Sequence, residues 1–595
     1  MERYNVAQAL ADVAARVPFR RAIVFPAGRD SSGRARYTQL TFGQLNELCD
    51  RYAYGLSEYG IGLGTRTLMM AHPGIEFIAV AFALLKVGAL PVLIDPGMGR
   101  RAFLQCVAET EPAALVGIPL AHLLRLLVPR PFRTVRRAVV IGADRPWTRW
   151  LWKRLGRDMR TLEEMRSERR DPFSIAPTTT EDEGAIAFTS GSTGMPKGVV
   201  YLQGMFRAQI ELLHDEVGYD DGEVDLPGLY VFALFNPALG ATTILPDMDP
   251  TQPAQVNPAY LVEAIQTHGV TTTFGSPTIW KRVAAYCLER DIHLPSMKRI
   301  LMAGAPVPPA LIEQFAHILE DGDVYTPFGA TEALPITMIS GREILAETAE
   351  LSKQGKGNCV GRPIRGHEIR VIRITDEPIP EWDDSLVLPT GQVGEIAVKG
   401  PVVTRTYLNR PQETARAKIA ERGSDDGQVP VIWHRMGDLG YFDDKGRLWF
   451  CGRKSHRVET RQGLMLPVPC EAIFQHPAVL RTALVGVGKR GQQRPVLVVQ
   501  LKEQFRVSGY GSRAIEGRPG QQTLSKDKLV EELLSLGAQH EHTRPIRDVL
   551  FHPSFPMDVR HSAKIQREKL AVWAASRPAC GSAGRPKDQL TKEVQ

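Results

Sequence analysis

The sequence predicts an α/β protein in which a large N-terminal domain of parallel and mixed sheets, covered by helices, precedes a small C-terminal α+β domain. The chain has 595 residues, more than one hydrophobic core usually accommodates. Strand-like apolar runs alternate with helix-like periods as far as about residue 450. A turn-rich stretch at residues 443–446 then precedes a shorter unit. We therefore predict domains at residues 1–452 and 453–575, followed by a disordered tail at 576–595.

Individual segments support this organisation. Strands are predicted at residues 66–70, 113–116, 138–141, 299–302, 482–486 and 495–500. The longest apolar run, residues 77–94, contains Lys86, Gly88 and Pro91. That composition indicates a buried helix followed by a strand rather than a membrane span. Residues 507–522 are rich in Gly, Ser and Arg, which predicts a mobile loop.

Composition excludes several classes of protein. The seven cysteines form no CxxC pair, which indicates free thiols in a reducing cytoplasm. No basic-then-apolar leader is present at the N-terminus, so secretion is not expected. The net charge of +7 is modest for this length and shows no clustered recognition motif, so we expect no nucleic-acid partner.

One segment has an unusual composition. Residues 145–157 interleave three tryptophans with four arginines and one lysine. We favour a surface helix whose tryptophans pack on the domain, because long charged side chains commonly cover apolar surface. The alternative is peripheral contact with a lipid headgroup layer, which would make the protein membrane-associated.

A short loop at residues 188–199 predicts a polyphosphate site. It follows the apolar run 185–188 and concentrates glycines, hydroxyl side chains and one lysine. Glycines allow backbone N–H groups to turn towards an anion, and hydroxyl and ammonium groups add donors. The spacing differs from that of a Walker loop. The candidate phosphate-binding residues are Ser190, Gly191, Ser192, Thr193, Gly194 and Lys197.

This loop resembles the phosphate loop of the adenylate-forming superfamily, which contains acyl-CoA synthetases, luciferases and peptide-synthetase adenylation domains. Further segments resemble superfamily motifs in the expected order, at residues 301–306, 325–332, 394–403, 433–438, 451–453 and 556–567. Each segment is weak evidence alone, but together they identify the chain as a member. The resemblance implies the adenylate-forming fold with a mobile C-terminal domain, and a carboxylate that attacks the α-phosphate of ATP.

The resemblance also implies roles for nucleotide-site residues. Phe328 would pack on adenine, Thr331 would contact the α-phosphate, and Glu332 would bind Mg²⁺, a hard cation that prefers oxygen ligands. Gly304, Ala305 and Gly329 would complete the nucleotide pocket. The segment at 394–403 is interpreted as structural.

Three further residues are implied to act on the nucleotide. Asp438 would accept hydrogen bonds from both ribose hydroxyls, and Arg453 would contact ribose and phosphate. Lys564 would be the catalytic lysine, acting on the α-phosphate and carboxylate together with Thr193, Lys197 and Glu332. Removing one such donor typically costs about 3–4 kcal/mol of transition-state stabilisation.

The segment after Arg453 departs from the pattern of CoA ligases. Ser455 occupies the hinge position, and we expect Pro467 and Pro469 to interrupt the helix that follows. The strand that would line a pantetheine tunnel is also altered near Gly463. The sequence therefore does not support the thioester-forming half-reaction.

A second departure concerns the acyl pocket. Val231, Phe232, Leu234 and Phe235 form an apolar wall suited to alkyl chains, with Gly275 as a further substrate-site candidate. Core packing is an equally good interpretation of such a run.

Residues 245–250, 274–277, 329–335 and 449–457 resemble one branch, the olefin-pathway β-lactone synthetases. That branch implies a long-chain 2-alkyl-3-hydroxyalkanoic acid as substrate, whose own 3-hydroxyl attacks the adenylated carboxyl without CoA. It also implies a thiolase-like condensing enzyme, a reductase and a β-lactone decarboxylase as partners. His456 could relay the hydroxyl proton, but a surface or hinge hydrogen bond is the favoured interpretation.

Two other functions remain open. A medium- or long-chain fatty acyl-CoA ligase would require CoA and ignore the 3-hydroxyl. A membrane-associated acyl-carrier or scaffold protein would bind adenylates without turnover, as the segment at 145–157 suggests. ATP–diphosphate exchange would exclude that last interpretation.

Overall fold

The computed structural model describes residues 2–142, 159–189, 195–421, 431–508, 521–557 and 564–577. The strands of these residues are β1 (Arg21–Arg29), β2 (Ala35–Thr41), β3 (Arg66–Met70), β4 (Leu90–Leu93), β5 (Ala114–Gly117), β6 (Arg137–Val140), β7 (Met159–Thr161), β8 (Glu183–Phe188), β9 (Gly198–Leu202), β10 (Val224–Asp225), β11 (Thr242–Ile244), β12 (Thr272–Gly275), β13 (Arg299–Met302), β14 (Asp323–Ala330), β15 (Ala333–Ser340), β16 (Asn358–Pro363), β17 (Glu368–Ile372), β18 (Gly394–Lys399), β19 (Lys418–Ala420), β20 (Ile432–Phe442), β21 (Leu448–Arg453), β22 (Val458–Thr460), β23 (Gly463–Met465), β24 (Val479–Val487), β25 (Arg494–Leu501), β26 (Phe505–Val507), β27 (Gln522–Leu524) and β28 (Asp548–Phe551). The α-helical segments are α1 (Val6–Arg16), α2 (Phe42–Glu58), α3 (Ile75–Lys86), α4 (Arg100–Thr110), α5 (Pro119–Leu127), α6 (Gln203–Asp215), α7 (Asn236–Leu239), α8 (Pro258–His268), α9 (Pro277–Glu289), α10 (Pro309–Ile318), α11 (Gly341–Glu343), α12 (Ala349–Leu351), α13 (Pro411–Ala417), α14 (Pro467–Ile473), α15 (Lys526–Ala538) and α16 (Arg567–Ala575).

The larger of two extended sheets has the order β17-β18-β20-β21-β16-β15-β14-β13-β12-β10-β11-β1-β2, with β19 paired to β20. Its strands β1 and β10 to β14 run parallel to one another. The strands from β15 to β18, with β20 and β21, pair antiparallel. Because the carboxyl ends of parallel strands meet at one edge, the loops after β12, β13 and β14 lie together.

The second extended sheet has the order β7-β6-β5-β3-β4-β8-β9 and is parallel except for β9. The predicted phosphate loop joins β8 to β9, and Phe188 pairs directly with Gly198. The backbone N–H of Thr189 donates to the carbonyl oxygen of Lys197 at 3.0 Å. The two arms of the loop are therefore held side by side.

The predictions of mixed parallel sheets and of the individual strands are confirmed. The apolar run 77–94 forms the buried helix α3 followed by β4, as expected. Its lysine, Lys86, is buried, and its ammonium donates to Asn46 Oδ1 at 2.7 Å and pairs with Asp50 Oδ1 at 2.5 Å. A charge can lie in this core because both partners come from the adjacent helix α2.

Beyond Arg453 the chain forms smaller sheets, β22-β23, β26-β27 and β24-β25-β28. The boundary at residues 452 and 453 remains a prediction. Most of the predicted loop 507–522 and of the predicted tail 576–595 lies outside the described residues. The expectation that prolines interrupt the next helix was wrong, because α14 begins at Pro467. Proline suits the first turn, where the backbone N–H needs no intrahelical acceptor.

The cysteines of the described chain are unpaired and buried; Cys580 lies outside it. Among the described residues, no helix combines the length and apolarity needed to cross a bilayer. The segment at 145–157 lies outside the described residues.

We predict that His122 makes stability depend on pH. It lies on α5, is 1% exposed, and its Nε2 is 3.0 Å from the carbonyl oxygen of Val139. Burial lowers its pKa from 6.5 to about 4. The unfolded chain therefore takes up a proton below about pH 6.5 while the folded chain does not, so this stabilisation falls as pH decreases towards 4.

Urea unfolding of His122→Gln and the wild type at pH 7 and pH 5 measures this effect. The wild type should lose up to about 2 kcal/mol more than the variant over that interval. His214→Gln, which changes an exposed histidine, is the matched control. An identical pH response in His122→Gln and the wild type would contradict the prediction.

Candidate active site

The predicted nucleotide residues converge at the carboxyl edge of the parallel strands. Gly275 ends β12, Gly304 and Ala305 follow β13, and Phe328 lies near the end of β14. The backbone N–H of Ala303 donates to the carbonyl oxygen of Gly275 at 3.2 Å and joins two of these loops. This is the edge at which ligands of open α/β sheets bind.

Tyr407 connects the predicted metal ligand to the predicted phosphate-loop cation. Its hydroxyl donates to Glu332 Oε1 at 2.6 Å, and both side chains are buried. The ammonium of Lys197 lies 4.3 Å from the centroid of the Tyr407 ring. A cation over an aromatic face is attracted by the ring quadrupole. Tyr407 thus orients one carboxylate oxygen and also contacts Lys197.

Behind this trio lies a buried lysine, Lys418. Its ammonium donates to the carbonyl oxygen of Thr404 and, at 3.1 Å, to Thr404 Oγ1. The backbone N–H of Thr404 in turn donates to the carbonyl oxygen of Glu332 at 2.9 Å. Burial lowers the pKa of Lys418 to about 7, although the negative charge of Glu332 acts in the opposite direction. Lys418 and Thr404 therefore fix the backbone that carries Glu332.

Asp438 and Arg453 face each other across β20 and β21. Asp438 is 2% exposed, and Arg453 Nε lies 3.1 Å from its Oδ1. The alignment of these atoms does not make a hydrogen bond, so the buried Oδ1 has no hydrogen-bond donor within the described residues. Burial raises the pKa of Asp438, while the charges of Arg453 and Lys564 lower it. The C-terminal lysine therefore acts electrostatically on this site.

A buried ion-pair network supports both strands. Arg435 and Glu395 are each 1% exposed and lie 2.6 Å apart, and the ammonium of Lys454 is 2.8 Å from Glu395 Oε1. Arg435 also donates to the carbonyl oxygen of Glu377 at 2.8 Å. A buried pair with further hydrogen bonds fixes geometry, because breaking it would leave an uncompensated charge.

The residues predicted to bind adenine lie around Phe328 and Gly329. The ring of Phe328 is half-buried and lies 5.8 Å from that of Phe450. A Cβ atom at Gly329 would lie 2.5 Å from the carbonyl oxygen of Ala333, so this turn requires glycine. The carbonyl oxygen of Thr331 accepts the Tyr201 hydroxyl at 2.5 Å, which holds the turn before Glu332.

The predicted acyl wall forms a short helical turn, Tyr230–Leu234, followed by Phe235. Phe232 stacks on Phe274 with ring centroids 4.0 Å apart. A Cβ atom at Gly275 would lie 2.8 Å from Trp280 Nε1, so glycine permits close packing here. Val231, Phe232, Leu234 and Phe235 are half-buried, unlike the fully buried Ala233. Their accessible apolar surface favours a lining role alongside core packing.

The hinge region carries the predicted histidine contact. His456 Nε2 lies 2.8 Å from Glu568 Oε1 on α16. This contact agrees with the favoured interpretation of a surface or hinge hydrogen bond. Asp376 additionally pairs with Arg457 at 2.6 Å and with Arg490 at 2.8 Å. Several charged contacts thus join residues before and after the hinge.

The structure brings together the predicted residues on β12 to β14, β20 and β21 with Lys197 and Lys564. Ser190, Gly191, Ser192, Thr193 and Gly194 lie outside the described residues. Sequence reasoning missed Thr404, Tyr407 and Lys418. These residues follow the segment 394–403, which received only a structural interpretation, and no spacing rule pointed to them.

The site's chemistry suits a nucleotide with Mg²⁺. Within the described chain, no group of three or more His, Cys, Asp or Glu residues could hold a metal ion. Glu332 would instead supply one carboxylate, which suits Mg²⁺ because it usually takes one or two protein carboxylates plus phosphate oxygens. The buried Asp438 Oδ1, without a hydrogen-bond donor, suits a ribose hydroxyl.

We predict that Tyr407→Phe raises the Mg²⁺ requirement. The variant keeps the ring beneath Lys197 but removes the hydrogen bond to Glu332. Half-saturating Mg²⁺ in ATP–diphosphate exchange should rise roughly tenfold, because hydrogen bonds to charged groups contribute about 1.5–3 kcal/mol. Calorimetric titration of the protein and ATP with Mn²⁺ should show the same loss of metal affinity.

Tyr441→Phe is the matched control for that variant. It removes a hydroxyl that donates to the carbonyl oxygen of Lys356 at 3.0 Å. Its Mg²⁺ requirement should equal that of the wild type. If Tyr407→Phe kept the wild-type Mg²⁺ requirement, Tyr407 would not position Glu332.

Comparisons with known proteins identify the family of this chain. Residues 10–408 match the family described as AMP-binding enzyme. The olefin beta-lactone synthetase of Xanthomonas campestris pv. campestris is 44% identical, covering 96% of this chain and 97% of its own length. The protein of the same name from Stenotrophomonas maltophilia is 45% identical, covering 96% and 98%.

Solved structures share the fold at lower identity. The amide bond synthetase McbA of Marinactinospora thermotolerans aligns with a TM-score of 0.70 and 21% identity, covering 96% of this chain and 99% of that one. The family match spans more than half of the chain, and the two synthetases are similar over nearly all of it. The chain therefore belongs to the AMP-binding enzyme family of adenylate-forming ligases.

Proposed function

We propose that this enzyme is an ATP-dependent β-lactone synthetase acting on a long-chain 2-alkyl-3-hydroxyalkanoic acid. The observation that carries the proposal is the 44–45% identity, over 96% of the chain, to two proteins named olefin beta-lactone synthetase. The described site supports the proposal in three ways. The predicted nucleotide residues lie at the carboxyl edge of the parallel strands, the carboxylates of Glu332 and Asp438 are buried there, and an apolar wall adjoins them.

In the first step, a carboxylate oxygen of the substrate attacks the α-phosphorus of ATP. The bond from that phosphorus to the bridging oxygen breaks, and diphosphate leaves. Lys197 and Lys564 stabilise negative charge that develops on the phosphates and the attacking carboxylate, while Glu332 would hold Mg²⁺, which neutralises phosphate charge when bound. Asp438 and Arg453 hold the ribose end of the nucleotide, so that positioning and electrostatics supply the catalysis.

In the second step, the 3-hydroxyl oxygen attacks the adenylated carboxyl carbon of the same molecule. The bond from that carbon to the AMP oxygen breaks, the hydroxyl proton is released, and the products are a four-membered lactone and AMP. Well-oriented intramolecular nucleophiles reach effective molarities of about 10⁵–10⁸ M, although ring strain offsets part of this gain. The wall formed by Val231, Phe232, Leu234 and Phe235 would fold the alkyl arms and exclude water.

The hinge fits a reaction without CoA. His456 bonds to Glu568, and Asp376 holds two arginines from the C-terminal side of the hinge. These contacts stabilise an arrangement in which the Lys564 charge reaches Asp438. We propose that both steps occur in this arrangement, because an internal nucleophile needs no tunnel for CoA.

The proposed function also defines the cellular context. The cofactors are ATP and Mg²⁺, and the unpaired cysteines suit a cytoplasmic enzyme. A condensing enzyme and a reductase would supply the hydroxy acid, and a decarboxylase would consume the strained lactone.

The decisive experiment incubates the purified protein with ATP, Mg²⁺ and a synthetic 2-alkyl-3-hydroxy acid, with and without CoA. The matched control is the acid that lacks the hydroxyl. We expect lactone and AMP without CoA, observed by NMR at ambient temperature because heating can expel CO₂ from a β-lactone. CoA thioesters from both acids, with no lactone, would instead identify a fatty acyl-CoA ligase.

We predict that Asp438→Asn removes discrimination for the ribose 2′-hydroxyl. An ionised acceptor makes hydrogen bonds roughly twice as strong as a neutral one does. Wild-type ATP–diphosphate exchange should favour ATP over 2′-deoxy-ATP, and the variant should lose most of that preference while its KM for ATP rises about tenfold. Asp376→Asn, which changes a hinge carboxylate, should keep the wild-type preference. Equal preferences in Asp438→Asn and the wild type would be inconsistent with ribose recognition by this carboxylate.

A further inference from the structure

Helix α5 exposes an apolar face that no part of the proposed chemistry uses. Residues 120, 123 and 127 follow the i, i+3, i+7 spacing of one helix face. The opposite side carries the buried Ala121 and His122, which hold the helix on its sheet. The outward side chains, with their exposed fractions, are Leu120 (67%), Leu123 (46%), Leu126 (42%) and Leu127 (71%).

The surroundings of this face are strongly basic. Residues 119–142 contain five arginines and no acidic residue. Arg130, Arg133 and Arg136 follow the helix and are exposed. Arg133 lies 3.2 Å from Glu111, an exposed pair whose attraction water largely screens. The whole chain has a net charge of only +7, so this stretch carries a disproportionate share.

We propose that α5 lies on the surface of an anionic membrane, with its leucines at the boundary of headgroups and acyl chains and the nearby arginines on lipid phosphates. A short amphipathic helix with leucine on one side and arginine beside it fits that boundary. An anionic lipid surface presents a negatively charged headgroup layer directly above an apolar acyl layer, which matches both features of this patch.

A protein partner fits the patch less well. It would have to be apolar where it meets α5 and acidic around that contact. Leucine is also under-represented among the residues that dominate protein–protein binding energy. A lipid surface further suits an enzyme whose substrate carries two alkyl chains. This match to the substrate rests on the proposed function, whereas the exposed leucines and arginines do not.

The site residues described above lie outside α5, so docking can be tested separately from catalysis. The full-length protein is sedimented with vesicles of phosphatidylglycerol and phosphatidylcholine, or of phosphatidylcholine alone. We expect binding to the anionic vesicles that weakens as salt increases, because the Debye length shortens from about 10 Å at 0.1 M to about 3 Å at 1 M.

Two double variants separate the apolar and electrostatic contributions. Leu120→Gln with Leu127→Gln should weaken binding about a hundredfold or more, because burying each leucine contributes a factor of roughly ten or more. Arg130→Gln with Arg133→Gln should weaken binding to anionic vesicles about tenfold at low salt. Leu288→Gln, at an exposed leucine on α9, is the control and should bind as the wild type does.

Each variant should retain the wild-type ATP–diphosphate exchange and thermal unfolding temperature, which excludes misfolding as the cause. The proposal is overturned if the wild type ignores anionic vesicles or if the leucine variant binds them normally. It is also overturned if the leucine substitutions instead abolish self-association or binding to a protein partner. Lactone formation enters none of these measurements, so failure of the proposed function would be recognised separately.

Discussion

Two buried carboxylates, Glu332 and Asp438, lie in one site, and their charge constrains the elements around them. A buried charge is costly unless cations or hydrogen-bond donors compensate it. Tyr407 donates to Glu332, and Arg453 approaches Asp438. The cations that act on these carboxylates come from separate parts of the chain, namely Lys418 on β19, Arg453 on β21 and Lys564 before α16. Folding therefore assembles a cationic environment that also suits a polyphosphate.

The neighbouring ion-pair network makes this environment rigid. Arg435 and Glu395 are removed from water, and Lys454 shares the same carboxylate. These contacts tie β18, β20 and the end of β21 together. Asp438 lies three residues after Arg435, and Arg453 immediately precedes Lys454. The network thus fixes the positions of both groups proposed to hold the ribose.

The proposed acyl side of the site would work by a different principle. Its wall is apolar and half-buried, so it can orient alkyl arms without competing for the reacting oxygens. In the proposed reaction, intramolecular attack makes a second substrate unnecessary, because the enzyme only has to fold the first one correctly. The hinge contacts of His456 and Asp376 are consistent with a reaction that proceeds in one domain arrangement, because a reaction that uses no CoA needs no second arrangement to bind it.

Much of the fold followed from the sequence because it depends on local pattern. Alternating apolar runs gave the parallel sheets, and the interrupted run at 77–94 gave α3 and β4. Resemblance to known motifs located Glu332, Asp438 and Lys564. The expected helix break at Pro467 was wrong because a proline in the first turn and a proline in a helix interior have opposite effects.

The sequence by itself determined the family, the alternation of strands and helices, and the residue types at the proposed nucleotide site. Tertiary structure alone decided that Tyr407 meets Glu332 across 75 residues, and that Lys418 reaches the same site through Thr404. It also decided which leucines of α5 face outward, since periodicity defines a face but not its surroundings. Contacts between distant segments depend on packing, in which each position is fixed by the whole fold rather than by its neighbours in the chain.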